Sequence, residues 1–129
     1  MPEKEYVTWQ DVETFINSVA EDVDTHITGV YGLPRGGLVL AVMFSHKLGV
    51  PMLMSPAPGC LIVDDICDSG ESLLHYVKNT SGLPLELKSY RVATMYYKPN
   101  RLEIKPDIYS KLKGDKWIVF PWEMEETNE

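Results

Sequence analysis

Five short apolar runs, separated by turn residues and helical patterns, constrain the fold of this chain more than any other feature. They are "ITGVY" (27–31), "VPMLM" (50–54), "CLIV" (60–63), "YRVATMYY" (90–97) and "WIVF" (117–120). The third run is apolar throughout, as strands buried on both faces of a parallel sheet usually are. Strands that alternate with helices favour right-handed crossovers. The sequence therefore predicts an α/β fold: one domain over residues 1–129, with a five-stranded, mainly parallel sheet flanked by helices.

Three helical patterns accompany these runs. The first begins after Thr8, which we expect to be the N-cap, with Asp11 as its capping-box partner. Its apolar positions share one helical face: Val12, Phe15, Ile16 and Val19. A second helix is expected over residues 38–48, with Gly49 as its C-cap. The third is expected over "ESLLHYVKN" (71–79).

Charge and cysteine content limit the expected partners and location. The chain has 12 basic and 19 acidic residues, a formal net charge of −7, and part of the acidity lies in a tail from about residue 124. An acidic chain is poorly suited to nucleic acid or to an anionic membrane surface, so neither is an expected partner. No apolar run approaches membrane-spanning length, and no signal pattern is present. Because Cys60 and Cys67 are too few for a disulfide scaffold, we expect a cytoplasmic protein.

Two turns between a predicted strand and a predicted helix have the composition of anion-binding sites. In "YGLPRGGL" (31–38), glycines permit tight geometry, a helix begins, and Arg35 adds a guanidinium suited to phosphate. In "DSGES" (68–72), backbone N–H groups and two hydroxyls precede the next helix. An ordinary glycine-containing turn is the alternative for the first. Neither turn is a Walker A loop or a G-x-G-x-x-G fingerprint, which argues against a P-loop nucleotidase and a Rossmann dehydrogenase.

Three aspartates adjoin the second turn. The apolar run "LIV" leads directly into Asp64 and Asp65, and Asp68 follows. Ligands collect at the C-terminal ends of parallel strands, so these carboxylates should lie beside both turns. Adjacent carboxylates accept hydrogen bonds from a sugar diol and attract a hard cation such as Mg²⁺, which offsets their repulsion of phosphate. A sugar phosphorylated at two places fits this pattern; a solvated turn, or a helix N-cap at Asp68, is the alternative.

The stretch "LIVDDICDSGES" (61–72) resembles the binding motif for 5-phosphoribosyl 1-pyrophosphate (PRPP) in type I phosphoribosyltransferases: an apolar strand, two acids and D-[ST]-G-x-[ST]. Further segments resemble the xanthine-guanine members of that family, in the same order: "EYVTWQDV", "LPRGGLVLAVMFSHKLGVPM", "MYYKP" and "DKWIVFPWE". The resemblance spans about residues 6–123. It implies Mg²⁺-dependent transfer of the phosphoribosyl group of PRPP to a 6-oxopurine (xanthine, guanine or hypoxanthine), with release of pyrophosphate.

The resemblance also implies roles for individual residues. The PRPP-binding set would be Arg35, Gly36, Asp64, Asp65, Asp68, Ser69, Gly70, Glu71 and Ser72. The purine-binding set would be Lys98, Trp117, Ile118 and Glu123. Asp65 is the expected Mg²⁺ contact, and Asp68 the expected catalytic base for the purine nitrogen. Trp117 would stack on the base and Lys98 would contact its oxygen at position 6; a core tryptophan and a surface lysine are the alternatives. The family often has a cis peptide before the arginine position.

One segment departs from the family. Type I enzymes usually have a long mobile loop between the second and third strands that closes over the reacting groups, whereas this chain has only "SPAPG" (55–59). We therefore expect a shortened active-site loop and an open site, which favours slow transfer or hydrolysis of PRPP. A neighbouring subunit or residues 101–112 could cover the site instead. The alternative function is a PRPP or purine-nucleotide sensor without useful catalysis; a vestigial interaction protein is disfavoured by the intact acidic residues.

The sequence also suggests self-association. An aromatic-rich surface is expected around Tyr96, Tyr97, Tyr109 and Trp122, with internal packing as the alternative. Members of the family form dimers or tetramers, so the resemblance implies a homo-oligomer.

Overall fold

The computed structural model describes residues 3–23, 26–71, 73–74 and 91–123. Its strands and long helices are β1 (Lys4–Tyr6), α1 (Trp9–Asp22), β2 (Val30–Gly32), α2 (Gly36–Leu48), β3 (Leu61–Cys67), β4 (Arg91–Tyr97), β5 (Ile108–Leu112) and β6 (Trp117–Val119). Most of the predicted third helix (71–79), Ser72 and the acidic tail lie outside the described residues. Within the described ranges, none of the helices is both long enough and apolar enough to cross a bilayer.

The main sheet contains β2, β3, β4 and β5 in that order, and each neighbouring pair is parallel. This confirms the predicted α/β fold with a mainly parallel sheet. The strands themselves differ from the five expected. "VPMLM" forms only an isolated bridge between Met52 and Val30. Pro51 lies within the segment and Pro56 follows shortly after it, and proline has no N–H to donate to a ladder. β5 forms in a stretch that the sequence predicted to be irregular. The strand lies at the sheet edge and is largely exposed, so it can have a polar sequence without an apolar pattern.

The run "WIVF" does form a strand, but outside the main sheet. β6 pairs in parallel with β1 as a separate two-stranded sheet. The Trp117 N–H donates to the Glu3 carbonyl at 2.8 Å, and the Val7 N–H donates to the Val119 carbonyl at 2.9 Å. The two strands come from opposite ends of the chain, and β1 has only three residues. A pairing of this kind leaves no local pattern in the sequence.

Helices α1 and α2 pack together and carry the predicted caps. The Thr8 hydroxyl accepts the Asp11 N–H at 3.0 Å, and the Asp11 carboxylate accepts the Thr8 N–H at 2.9 Å. The predicted apolar face of α1 is buried. Phe15 on that face meets Phe44 of α2 edge-on, with ring centroids 5.8 Å apart. Gly49 ends α2 in the left-handed conformation, with φ of 68°.

β3 is longer than the predicted run, and its length determines the site. β4 pairs with it through Cys67, whereas β2 pairs with it only as far as Val63. Asp64 and Asp65 therefore lie within a strand instead of after its end. Beyond Val63, the edge of β3 that faces away from β4 is available to the turn that follows β2.

The aromatic surface predicted for self-association is not formed as expected. Tyr96 is 4% exposed and Tyr97 is 9% exposed. The Tyr97 ring packs against Tyr109 at a centroid distance of 5.1 Å, and Tyr96 packs edge-on against Phe120 at 6.0 Å. All residues of β4 after Arg91 are buried, so both faces of the strand are covered and these tyrosines pack internally. The homo-oligomer stays a prediction.

Candidate functional site

The turn between β2 and α2 packs directly on β3. The Leu33 N–H donates to the Val63 carbonyl at 3.0 Å. A side chain at Gly37 would collide with the same carbonyl, so this position requires glycine. The peptide bond between Pro34 and Arg35 is cis, as the family resemblance predicts. The close approach brings the N-terminus of α2 to the aspartates of β3.

Gly36 and Asp65 lie in contact across this junction. A side chain at Gly36 would overlap the Asp65 carboxylate. Beside the contact is a cavity of about 530 Å³, lined by Arg35, Gly36, Asp65, Trp122 and Glu123. The exposed Arg35 and the N–H groups at the start of α2 supply positive charge to one side of this cavity, and Asp65 supplies negative charge to the other. The structure thus brings together the predicted pyrophosphate residues and the predicted Mg²⁺ contact.

Asp64 is partly buried beside Asp65. Its carboxylate accepts the backbone N–H of Asp65 at 2.8 Å. Burial raises the pKa of Asp64 to about 9, and the negative charge of Asp65 acts in the same direction. Without a ligand, the Asp64 carboxyl therefore holds a proton at neutral pH. A cation that favours the ionised form would displace this proton.

The turn after β3 has the shape expected of a phosphate site. Gly70 has φ of 82°, and the Glu71 N–H donates to the Ser69 hydroxyl at 3.2 Å. A helix begins here, since the Leu74 N–H donates to the Gly70 carbonyl at 2.9 Å. A cavity of about 120 Å³ adjoins the turn, and its lining includes Asp64, Asp68, Ser69 and Gly70. Ser72, the last member of the predicted set, is outside the described residues.

The loop after β4 supports this turn. A Cβ atom at Gly70 would lie 2.7 Å from Ile104 Cβ, so the loop packs closely on the glycine. The Asn100 side chain holds the loop closed: it donates to the Ile104 carbonyl at 2.7 Å and accepts the Ile104 N–H at 2.9 Å. The sequence analysis missed Asn100 and Ile104. The only local signal was the pair Pro99–Asn100, which is typical of a turn.

The predicted purine-binding residues come from the ends of β4 and β6. The Lys98 N–H donates to the Cys67 carbonyl at 2.8 Å, which places Lys98 beside the start of the phosphate turn. Trp117 is 64% exposed, so it is not a core tryptophan. Ile118 is only 6% exposed, so its side chain is buried. None of these three residues lines the two cavities described above.

Glu123 lies with the pyrophosphate residues in the larger cavity. Its carboxylate accepts the Phe120 N–H at 2.8 Å, and its own N–H donates to the Phe120 carbonyl at 3.0 Å. Trp122, which the sequence analysis assigned to a surface, forms a wall of the same cavity. Its ring stacks on Phe120, with centroids 5.0 Å apart and planes 10° apart. Its position next to Glu123 was the signal that could have identified it.

The carboxylates fit a cation that is held mainly by its substrate. In the described ranges, no group of three or more His, Cys, Asp or Glu side chains is arranged to hold a metal ion. Mg²⁺ usually keeps several waters and takes one or two carboxylates together with substrate phosphates. Asp65, with Asp64 beside it, supplies that number. These residues therefore fit Mg²⁺ in company with a phosphorylated ligand.

The shortened loop does not reach this site. The Thr28 N–H donates to the Gly59 carbonyl at 3.0 Å, and the Thr28 hydroxyl donates to the Pro58 carbonyl at 2.9 Å. Thr28 precedes β2, whereas the aspartates lie towards the C-terminal end of β3. The 55–59 linker therefore leaves the aspartates uncovered.

Comparisons with known proteins agree with this geometry. No family model matches the chain. The xanthine-guanine phosphoribosyltransferase of Idiomarina loihiensis is 25% identical over 146 residues, which covers 92% of this chain and 86% of that protein. The crystal structure of a purine phosphoribosyltransferase from Pyrococcus horikoshii has a TM-score of 0.80 and 29% identity, and covers 98% of both chains. A Helicobacter pylori xanthine-guanine-hypoxanthine phosphoribosyltransferase has the same fold, with a TM-score of 0.72, 20% identity and 93% coverage of both chains. Together with the ordered motifs, these likenesses support a type I phosphoribosyltransferase similar to the xanthine-guanine enzymes.

Proposed function

We propose that this protein transfers the phosphoribosyl group of PRPP to a 6-oxopurine and releases pyrophosphate. The observation that carries the proposal is the contact between Gly36 and Asp65. This contact brings the turn after β2 beside Asp64 and Asp65, and the turn after β3 follows them along the chain. Two turns of the anion-binding type therefore flank these carboxylates. A ligand that fills both turns needs two phosphate-bearing ends with a diol between them, as PRPP has.

Different groups of the protein bind different parts of PRPP. Backbone N–H groups of residues 69–71 and the Ser69 hydroxyl bind the 5′-phosphate. Arg35 and the N-terminus of α2 bind the pyrophosphate. Asp64 and Asp65 accept hydrogen bonds from the ribose hydroxyls. Asp65 would hold Mg²⁺, which would supply positive charge beside the leaving pyrophosphate.

The reaction is a displacement at C1 of the ribose. A ring nitrogen of the purine forms the new bond to C1, the bond from C1 to the pyrophosphate oxygen breaks, and its electron pair leaves with pyrophosphate. Asp68 accepts the proton that the purine ring loses. The carboxylates stabilise positive charge that develops on the sugar, and Arg35 stabilises negative charge on the leaving group. Trp117 stacks on the base, and Lys98 donates to its oxygen at position 6.

The test is an assay of nucleotide formation from PRPP with xanthine, guanine and hypoxanthine, and with adenine as the control. Product should form with at least one 6-oxopurine and disappear when the divalent cation is chelated. Asp68→Asn should lower turnover while PRPP binding, measured by calorimetry, persists. The absence of product with every 6-oxopurine at high enzyme concentration would contradict the proposal.

A PRPP or nucleotide sensor is the second candidate, and the position of the 55–59 linker favours it. Phosphoribosyl transfer benefits from a loop that excludes water, and here the linker is bound to Thr28, which precedes the N-terminal end of β2. A sensor binds PRPP with the same residues but yields no product. Ligand binding without turnover would support it, whereas measurable turnover that is lost in Asp68→Asn would exclude it.

Other features of the proposed enzyme stay predictions from the sequence. They are the single domain over residues 1–129, the cytoplasmic location and the homo-oligomeric state.

A further inference from the structure

The loop that follows β4, residues 98–104, is closed by the side chain of Asn100. The Asn100 Nδ2 donates to the Ile104 carbonyl at 2.7 Å and to the Lys98 carbonyl at 3.3 Å, and its Oδ1 accepts the Ile104 N–H at 2.9 Å. A primary amide donates twice and accepts through one planar group, which neither a carboxylate nor a hydroxyl can do. This set of bonds therefore requires an amide at position 100.

The backbone of this loop does not favour the closed form by itself. Glu103 has φ of 56°, a left-handed conformation that residues other than glycine rarely adopt. Pro99 has no N–H with which to close the loop. The hydrogen bonds of Asn100 offset the cost of the Glu103 conformation, so removal of the amide should open the loop.

The closed loop packs on the turn after β3. The Lys98 N–H donates to the Cys67 carbonyl at 2.8 Å, and the Cys67 thiol donates to the Ile104 carbonyl at 3.7 Å, so both ends of the loop are tied to the last residue of β3. A Cβ atom at Gly70 would lie 2.7 Å from Ile104 Cβ and 3.3 Å from Asn100 Oδ1. The asparagine thus holds Ile104, together with its own amide, against Gly70.

We propose that Asn100 is a positioning residue for the 5′-phosphate turn. By keeping Ile104 against Gly70, it holds the backbone N–H groups of residues 69–71 in the orientation that binds phosphate. The inference rests on the proposed function. Asn100 lines neither of the two cavities described above, so it acts through Gly70 instead of touching the ligand.

The phosphate turn needs such support because its central residue is a glycine. Gly70 adopts φ of 82°, and glycine loses more conformational freedom on ordering than any other residue. Backbone N–H groups bind an anion well only when they converge on it. Packing of the loop on Gly70 fixes the turn before the ligand arrives, so the ligand does not have to order it.

The test compares two ligands that fill different turns, using calorimetry on the full chain. Ribose 5-phosphate has the phosphate and the diol that fill the turn after β3, whereas pyrophosphate with Mg²⁺ fills the turn at Arg35. Asn100→Ala removes the amide, and Asn100→Leu keeps its volume without the hydrogen bonds. Ribose 5-phosphate affinity should fall by about tenfold to a hundredfold in both variants, because misplaced binding groups cost that much, and pyrophosphate affinity should stay nearly unchanged.

Amide hydrogen exchange measures the same effect without any ligand. In Asn100→Ala the N–H groups of residues 69–71 should exchange faster, while those in the centre of β3 keep their wild-type rates. Thr8→Ala is the matched control, because it destabilises the protein at the α1 cap instead of at this loop. This control should bind both ligands, and exchange at residues 69–71, as the wild type does.

Equal losses of ribose 5-phosphate and pyrophosphate affinity in the Asn100 variants would assign the residue to the overall fold and overturn the inference. Unchanged ribose 5-phosphate affinity, or unchanged exchange at residues 69–71, would also overturn it. Failure of the wild-type protein to bind ribose 5-phosphate would instead count against the proposed function, and the exchange rates would still decide whether Asn100 holds the turn.

Discussion

Replacing Asp64 with asparagine should make the ligand-free protein more stable at neutral pH. Burial and the neighbouring carboxylate raise the pKa of Asp64 to about 9. The folded protein keeps a proton that the unfolded chain has lost, so unfolding releases it and stability falls as pH rises from about 4 to about 9. An unfolded aspartate has a pKa of about 3.9, and each pH unit above that value lowers the free energy of unfolding by about 1.4 kcal/mol. At pH 7 the free energy of unfolding is therefore lowered by about 4 kcal/mol in total. Asparagine avoids this loss because its amide does not ionise in this pH range.

Urea denaturation of the wild type and of Asp64→Asn, without ligand, measures this cost. The free energy of unfolding of the variant should exceed that of the wild type by a margin that widens with pH, by about 1.4 kcal/mol per unit between about pH 5 and about pH 8. Asp68→Asn is the control, because that carboxylate is 55% exposed and its replacement leaves the buried pair intact. A margin that stays constant over this pH range would refute the reasoning. So would a variant that is less stable than the wild type at every pH.

Three further substitutions test the parts of the structure on which the site depends. Gly36→Ala should weaken PRPP binding by about tenfold or more in calorimetry, since the alanine side chain displaces the Asp65 carboxylate. Gly114→Ala is the control and should bind PRPP normally, because a side chain there meets no atom within 4 Å. Equal losses of affinity in the two variants would contradict this explanation. Phe44→Ala should lower the free energy of unfolding by about 3–5 kcal/mol, because a fully buried ring leaves a cavity between the two helices. Thr8→Ala should lower it by about 1 kcal/mol through loss of the α1 cap, and a loss as large as that of Phe44→Ala would contradict the capping explanation.

Local sequence patterns predicted the elements whose stabilising interactions lie within a few residues. The cap at Thr8 needs only a partner three residues away, and Gly49 needs only its own freedom at positive φ. The apolar composition of the β3 run predicted a strand buried on both faces. The family motif predicted the turn at Gly70 and the cis peptide before Arg35.

Contacts between distant segments could not be predicted in this way. The pairing of β1 with β6 and the place of β5 at the sheet edge depend on which backbone edges remain available after the core has packed. The support of Gly70 by Ile104 and the place of Trp122 beside Arg35 likewise join segments that are far apart in the chain.

The sequence by itself determined which chemical groups the site contains, because the acids, the arginine and the turn glycines each follow a recognisable apolar run. Only the tertiary structure decided their states and neighbours. β2 ends before β3 does, and this allows Gly36 to reach Asp65. Burial raises the pKa of Asp64, and Lys113 faces Asp68 because β5 lies two strands away in register. Charge state and proximity depend on solvent exclusion and on strand order, and neither quantity is encoded in a short stretch of sequence.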